Sequence, residues 1–94
     1  MSDRAPMIGY PNIQKMYRLQ WEDVQQSYVL LFPEGMVKLN QSAGEILKRC
    51  TGKLSVIEII ADLESTFAVS NLADDVEGFL AYATQSGWLH WPEQ

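Results

Sequence analysis

Apolar and polar positions alternate with a period of two over the first half of this chain and recur at helical spacing over the second. In Tyr17-Arg-Leu-Gln-Trp-Glu22, Tyr17, Leu19 and Trp21 share one face and Arg18, Gln20 and Glu22 the other, which fits a half-buried strand. Asp23 to Gln26 is a polar connection. Tyr28-Val-Leu-Leu-Phe32 is a continuous apolar, aromatic and β-branched run of the kind a central strand carries. Pro33 pre-sets φ for the first central position of a turn, and Gly35 suits a type I turn that closes with a left-handed residue. The chain then returns, with Val37 and Leu39 opposite Met36 and Lys38. The pattern predicts strands over 17–22, 27–32 and 36–40 in meander order, so that the third is an edge.

Three helices should follow. Asn40 and Ser42 are both good N-caps, and Ser42-Ala-Gly-Glu45 has capping-box spacing, so a first helix is expected from about Ser42 to Cys50, stopping at Gly52. Ser55-Val-Ile-Glu58 repeats the spacing and opens a second helix to about Phe67. Its Val56, Ile59, Ile60, Leu63 and Phe67 make a wide apolar stripe. Ser70 or Asn71 should cap a third helix to about Ser86, ended by Gly87, with Leu72, Val76, Phe79, Leu80 and Ala83 facing the core. Asp74 and Asp75 fall in its first turn, where the helix dipole favours negative charge. Gly78 in mid-helix costs roughly 1 kcal/mol against alanine, which close packing on a neighbour would explain.

Trp88-Leu-His-Trp91 reads as a short extended tail. Residues 1–15 are irregular, yet Met7, Ile8, Tyr10 and Ile13 are too apolar for a disordered tail. They suggest an arm that packs on its own sheet or on a second copy, which leaves monomer and homodimer both open. The organisation expected is an arm over 1–15, one domain over 16–91 and a tail over 92–94. The fold class is α+β and winged-helix-like: a three-stranded antiparallel sheet followed by a three-helix bundle.

Composition removes several functions. The longest apolar run is far short of the ~20 residues of a membrane-spanning helix, and the N-terminus lacks a signal-peptide pattern, so the cytoplasm is expected. Cys50 is single and falls in a helix, which makes it a small core residue rather than half of a disulfide. Catalysis lacks parts. His90, the sole histidine, stands near the C-terminus, and no Gly-rich phosphate loop or metal-ligand cluster is present. A non-enzyme without cofactor or metal is the reading.

The net charge of −5 hides a split: all seven cationic residues lie within the first 53 positions, and the remaining 41 residues hold seven acids. The third helix carries Asp74, Asp75 and Glu77 and no cation. As the recognition helix of a DNA-binding winged helix it would repel the phosphates it must neutralise. Peptide recognition asks for less. An extended peptide can add to an exposed strand edge. The third strand has Lys38 as its only charge to discourage such pairing. The third helix supplies a second wall, with Phe79 and Tyr82 as aromatic contacts or as core.

The same residues carry a family resemblance. Arg18-Leu-Gln-Trp-Glu22 followed by Val29-Leu-Leu-Phe-Pro-Glu-Gly-Met-Val-Lys-Leu-Asn40 closely resembles the PqqD family of pyrroloquinoline quinone biosynthesis. Ser42-Ala-x-Glu45-Ile-Leu47, Asp75-Val76-x-x-Phe79-Leu80 and Gly87-Trp88 continue the match over about residues 17 to 89. Phe32, where Tyr is common, and Thr51, where Asp is usual, depart from it. The resemblance implies a precursor-peptide recognition element that binds the peptide PqqA and presents it to PqqE, a radical S-adenosylmethionine enzyme that cross-links a Glu and a Tyr. It implies a groove between the third strand and third helix. Met36, Val37, Lys38 and Leu39 would form one wall of it and Asp75, Phe79 and Tyr82 the other, Tyr82 by helical geometry alone. The iron–sulfur cluster and cofactor belong to the partner enzyme. Two other readings remain, a DNA-binding winged helix and a structural dimerisation subunit of the PqqE complex.

Overall fold

The computed structural model describes residues 8–92, in the order β1 (Asn12–Ile13), β2 (Arg18–Glu22), β3 (Ser27–Phe32), β4 (Gly35–Lys38), α1 (Gln41–Lys48), α2 (Val56–Phe67), α3 (Ala73–Gln85) and β5 (Leu89–His90). The meander forms as the pattern predicts: an antiparallel sheet in the order β2-β3-β4, with Leu30 of β3 opposite Leu19 on one side and Val37 on the other. Pro33 and Glu34 make the tight turn between Phe32 and Gly35, and Gly35 takes the positive φ expected of it, 156°. With α1 packed against this sheet and α2 and α3 joined to it in one core, the fold is α+β.

Because side chains alternate across a strand, Tyr28 and Leu30 share one sheet face with Leu19, Val37 and Leu39. The helices cover that face. Leu30, Leu47, Ile59 and Leu80, from sheet and helices alike, lie in the fully buried centre. Trp21 was expected on this face but is 46% exposed. Its ring meets Tyr28 edge-on at 4.9 Å between centroids, beyond the reach of the core cluster.

The helix ends differ from the expected ones for identifiable reasons. α1 is capped by Asn40, whose Oδ1 accepts from the Ala43 N–H at 2.8 Å. The Ser42 capping box does not form, because with Asn40 as cap Ser42 already lies inside the helix; Glu45 instead holds Arg49 at 2.9 Å. The Arg49 guanidinium bridges to Asp62 of α2 at 2.6 Å. Burial opposes that charge, but the two carboxylates more than offset it and hold the pKa above its ordinary value. α1 stops at Lys48, before Cys50. Gly52 (φ 83°) is not its cap: the Gly52 N–H donates to the Pro11 carbonyl at 2.9 Å, and a Cβ there would fall 2.9 Å from Asn12 Nδ2. The glycine lets β1 pass.

α2 begins with the predicted capping box, Ser55 N–H to Glu58 Oε1 at 2.8 Å and Glu58 N–H to Ser55 Oγ at 3.1 Å. At its other end Phe67 leaves the buried stripe and is 40% exposed. Neither Ser70 nor Asn71 caps α3. Asn71 is left-handed (φ 62°), and a carboxylate from α2 takes the role: Glu64 Oε2 accepts the Leu72 N–H at 3.0 Å. Gly87 (φ 84°) ends the helix as expected. Gly78 is exposed, so the close packing expected to explain it is not found.

The sequence did not foresee that the two ends of the chain pair. β1 lies antiparallel to β5, Asn12 opposite His90 and Ile13 opposite Leu89, and the Gln14 N–H donates to the Trp88 carbonyl at 2.9 Å. Part of the expected arm is therefore stitched into its own subunit, with Pro11 fully buried. Residues 1–7, on which the rest of the expected arm and its part in a dimer fall, lie outside the described residues. Among the described residues, no helix is long and apolar enough to cross a membrane.

Candidate functional site

β4 has one strand neighbour among the described residues. The Leu39 N–H donates to the Tyr28 carbonyl at 3.1 Å, continuing the register that pairs Val37 with Leu30 and Gly35 with Phe32. In an antiparallel ladder the groups of alternate residues point to opposite sides. Gly35, Val37 and Leu39 therefore direct their N–H and C=O at β3, whereas Met36 and Lys38 direct theirs away from the sheet. Among the described residues neither Met36 nor Lys38 makes a backbone hydrogen bond outside the ladder.

That row borders a channel of about 480 Å³ between β4 and α3. Val37, Lys38 and Leu39 form one wall. α3 forms the other with Asp75, Phe79 and Tyr82, residues spaced i, i+4 and i+7 and so aligned on one helix face. Ala43 and Ile46 of α1 close the channel between them, and Trp88 stands behind α3. The aromatic wall is continuous: Tyr82 meets Trp88 edge-on at 5.5 Å, and Phe79 lies 6.4 Å from each of them. Tyr82 is 57% exposed, whereas Phe79 is half-buried and packs on the core.

Six of the seven residues singled out from the sequence thus line one channel. The seventh, Met36, is placed differently. Its side chain is 54% exposed on the outer sheet face, opposite Val37, and only its backbone borders the free edge. The sequence reading missed Trp88, which it placed in an extended tail; Trp88 is buried and lines the channel as well. The Gly87-Trp88 pair was the available signal.

Chemically, the channel offers main-chain donors and acceptors along one side, apolar and aromatic surface along the other, and one charge, Asp75, on the helix wall; the Lys38 side chain shares the outer sheet face with Met36. Such a set has the chemistry to receive an extended chain. His90 lines a separate hollow with Gln14, Lys15 and Met16. Cys50 is buried, and burial pushes its thiol up to about 12, far from a reactive thiolate. Among the described residues no cluster of three or more His, Cys, Asp and Glu is placed to hold a metal ion.

Known proteins share both the sequence and the architecture. Residues 27–89 match the family model described as Coenzyme PQQ synthesis protein D (PqqD). The chain is 46% identical over 80 residues to the PqqA binding protein of Acinetobacter baylyi, covering 84% of this chain and 81% of that protein. It is 47% identical over 74 residues to the PqqA binding protein of Klebsiella pneumoniae strain 342, covering 78% and 80%. A solved structure, the solution NMR structure of the PqqD truncation of Methylobacterium extorquens PqqCD, superposes with a TM-score of 0.72 at 28% identity over 85% of this chain and 87% of that one. That truncation is described as a functional, stand-alone recognition element for ribosomally synthesised and post-translationally modified peptides.

Proposed function

We propose that this chain, which belongs to the PqqD family, is a non-catalytic peptide chaperone that holds the precursor peptide PqqA as an added strand on β4 and presents it to the radical S-adenosylmethionine enzyme PqqE. The observation that carries the reading is the outward-facing backbone of Met36 and Lys38, set beside an apolar channel walled by α3. Strand addition supplies main-chain hydrogen bonds that do not depend on sequence, and the pockets along α3 select side chains. Val37, Leu39, Phe79 and Tyr82 receive apolar side chains of the guest. Met36 and Lys38 contribute backbone, their side chains lying on the outer sheet face. Asp75 sits at the far end of the helix wall.

The physical contribution is effective concentration. A chain that grips the substrate and docks on the enzyme turns a bimolecular encounter into a near-intramolecular one. Nothing in that role needs a cofactor, and the cytoplasm is where precursor and enzyme meet.

Titrating fluorescently labelled PqqA into this chain with and without PqqE tests the reading. Saturable binding without the enzyme is expected. Binding that appears only when the enzyme is present would make the chain a structural subunit instead. Salt-sensitive binding to duplex DNA in place of peptide would overturn it in favour of a winged-helix DNA reader.

A further inference from the structure

The channel continues past the first turn of α3. Ser42, Ile46 and Asp75 line both it and a second cavity of about 260 Å³, so the two are neighbours. The second cavity is walled by Leu63 and Phe67 of α2, Val69 of the connecting loop, and Leu72. Phe67 is 40% and Val69 46% exposed, although apolar periodicity assigns Phe67 to the core. α2 ends there because Ala68 turns left-handed (φ 54°), which carries Val69 round to face the hollow. Glu64, by accepting the Leu72 N–H, ties the far end of the loop to α2 and keeps the hollow open.

We propose that this second cavity is an anchor pocket for one bulky apolar side chain of the same guest peptide, beyond the stretch that pairs with β4. The proposal rests on the channel reading. Three features select this occupant. The cavity is smaller than the roughly 300–1,000 Å³ of a small-molecule site and suits a single Leu- or Phe-sized side chain. Its three shared lining residues, Ser42, Ile46 and Asp75, set it immediately beside the channel, so a chain leaving the β4 edge along α3 reaches it next. The carboxylates nearby sort the guest. Glu45 is engaged by Arg49 at 2.9 Å, whereas Asp75 is in no ion pair among the described residues. Asp75 stands at the junction and disfavours an acidic residue beside the anchor, favouring a cationic or N–H-donating neighbour.

Val69→Glu, which sets a charge on the rim at an exposed loop position, tests the pocket with PqqA as probe. Phe67→Ser is the second variant, and circular dichroism and urea midpoints establish that each folds. Seating one large apolar side chain implies a ten- to hundredfold loss, roughly, in PqqA affinity for both variants. Lys38→Pro, measured alongside, reports on the channel. Normal binding by both folded rim variants while Lys38→Pro fails would overturn the anchor and leave the channel standing. Loss in the rim variants with normal binding by Lys38→Pro would retain the anchor and sink the strand pairing. An alanine scan of PqqA completes the test. One apolar peptide position should lose its effect in the Val69→Glu background, and effects that stay additive at every position would also overturn the anchor.

Discussion

Gly44 of α1 packs so closely on Tyr28 of β3 that a Cβ at Gly44 would fall 2.5 Å from the ring Cδ2 and 3.0 Å from the Tyr28 Cβ and Cγ. The Tyr28 Cβ is fixed by the strand and cannot swing aside. The absent side chain therefore sets how deeply α1 sits against the sheet, and with it the position of Ala43 and Ile46 in the channel. Gly44→Ala gains about 1 kcal/mol of helix propensity, but overpacking of about 1–3 kcal/mol opposes it. The 2.5 Å approach puts the overpacking in the upper part of that range, so we expect net destabilisation of about 1–2 kcal/mol, read as a lower urea midpoint with unchanged m-value. A variant as stable as the parent would mean that the helix rides higher than described.

Two prolines one residue apart separate the two sides of β4. Lys38→Pro removes an N–H that points away from β3, a position at which an edge strand tolerates proline. Val37→Pro removes the N–H directed at Leu30 and breaks the ladder. Lys38→Pro should keep a native circular dichroism spectrum and lose PqqA binding by at least about tenfold, because the guest forfeits a main-chain bond and meets the ring. Val37→Pro should unfold at markedly lower urea concentration. Full PqqA affinity in a folded Lys38→Pro variant would remove strand addition as the mode of holding.

Phe79 and Tyr82 stand one turn apart on α3 yet differ in burial. Phe79 is half-buried against the core, and Tyr82 is 57% exposed, meeting Trp88 edge-on and lying 6.4 Å from Phe79. Phe79→Ala should cost about 2 kcal/mol of stability, below the range for a fully buried ring, and affinity with it. Tyr82→Ala should cost about 0.5–1 kcal/mol of stability and about tenfold in affinity, as an exposed aromatic contact to a partner does. Equal stability losses would make Tyr82 a core residue and leave the helix wall to Phe79 and Asp75.

What the sequence disclosed was what is local. The Tyr28–Phe32 run and the Ser55–Glu58 box depend on residues a few positions apart, and both formed as expected. The bare edge of the third strand and the aromatic pair Phe79 and Tyr82 on the third helix are legible as two facing walls, whereas Asp75 and the individual strand residues come only with the family resemblance. Long-range partners left no such trace. The Ile13–Leu89 pairing joins opposite ends of the chain, and the Glu64 carboxylate caps a helix eight residues on. Gly52 resembled a helix cap because its real constraint, Asn12, lies in another element. Periodicity also assigns a residue to a face without saying how far that face is covered. That is why Trp21 and Phe67 came out more exposed than their patterns implied, and why Trp88 could be both core and channel.

Cys50 links burial to pH. It follows α1, is 2% exposed, and its Sγ approaches the Ile46 carbonyl at 3.3 Å. Burial raises the thiol from an ordinary 9.0 to about 12. The folded chain thus keeps a proton that the unfolded chain releases near pH 9. The resulting stability is fully present below that value and is lost as pH rises toward 12, at about 1.4 kcal/mol per pH unit within the window. Urea unfolding across this range should fall more steeply for the parent than for Cys50→Ala. The slopes are compared because other alkaline groups titrate alike in both and because the small cavity shifts only the offset. In the native state at pH 8 the thiol should react with an aromatic disulfide only as fast as the fold opens, slowing as stability rises. Parallel alkaline slopes together with free-thiol reactivity would show that Cys50 is solvent-accessible, and the docking of the segment after α1 onto β1 would then need redrawing.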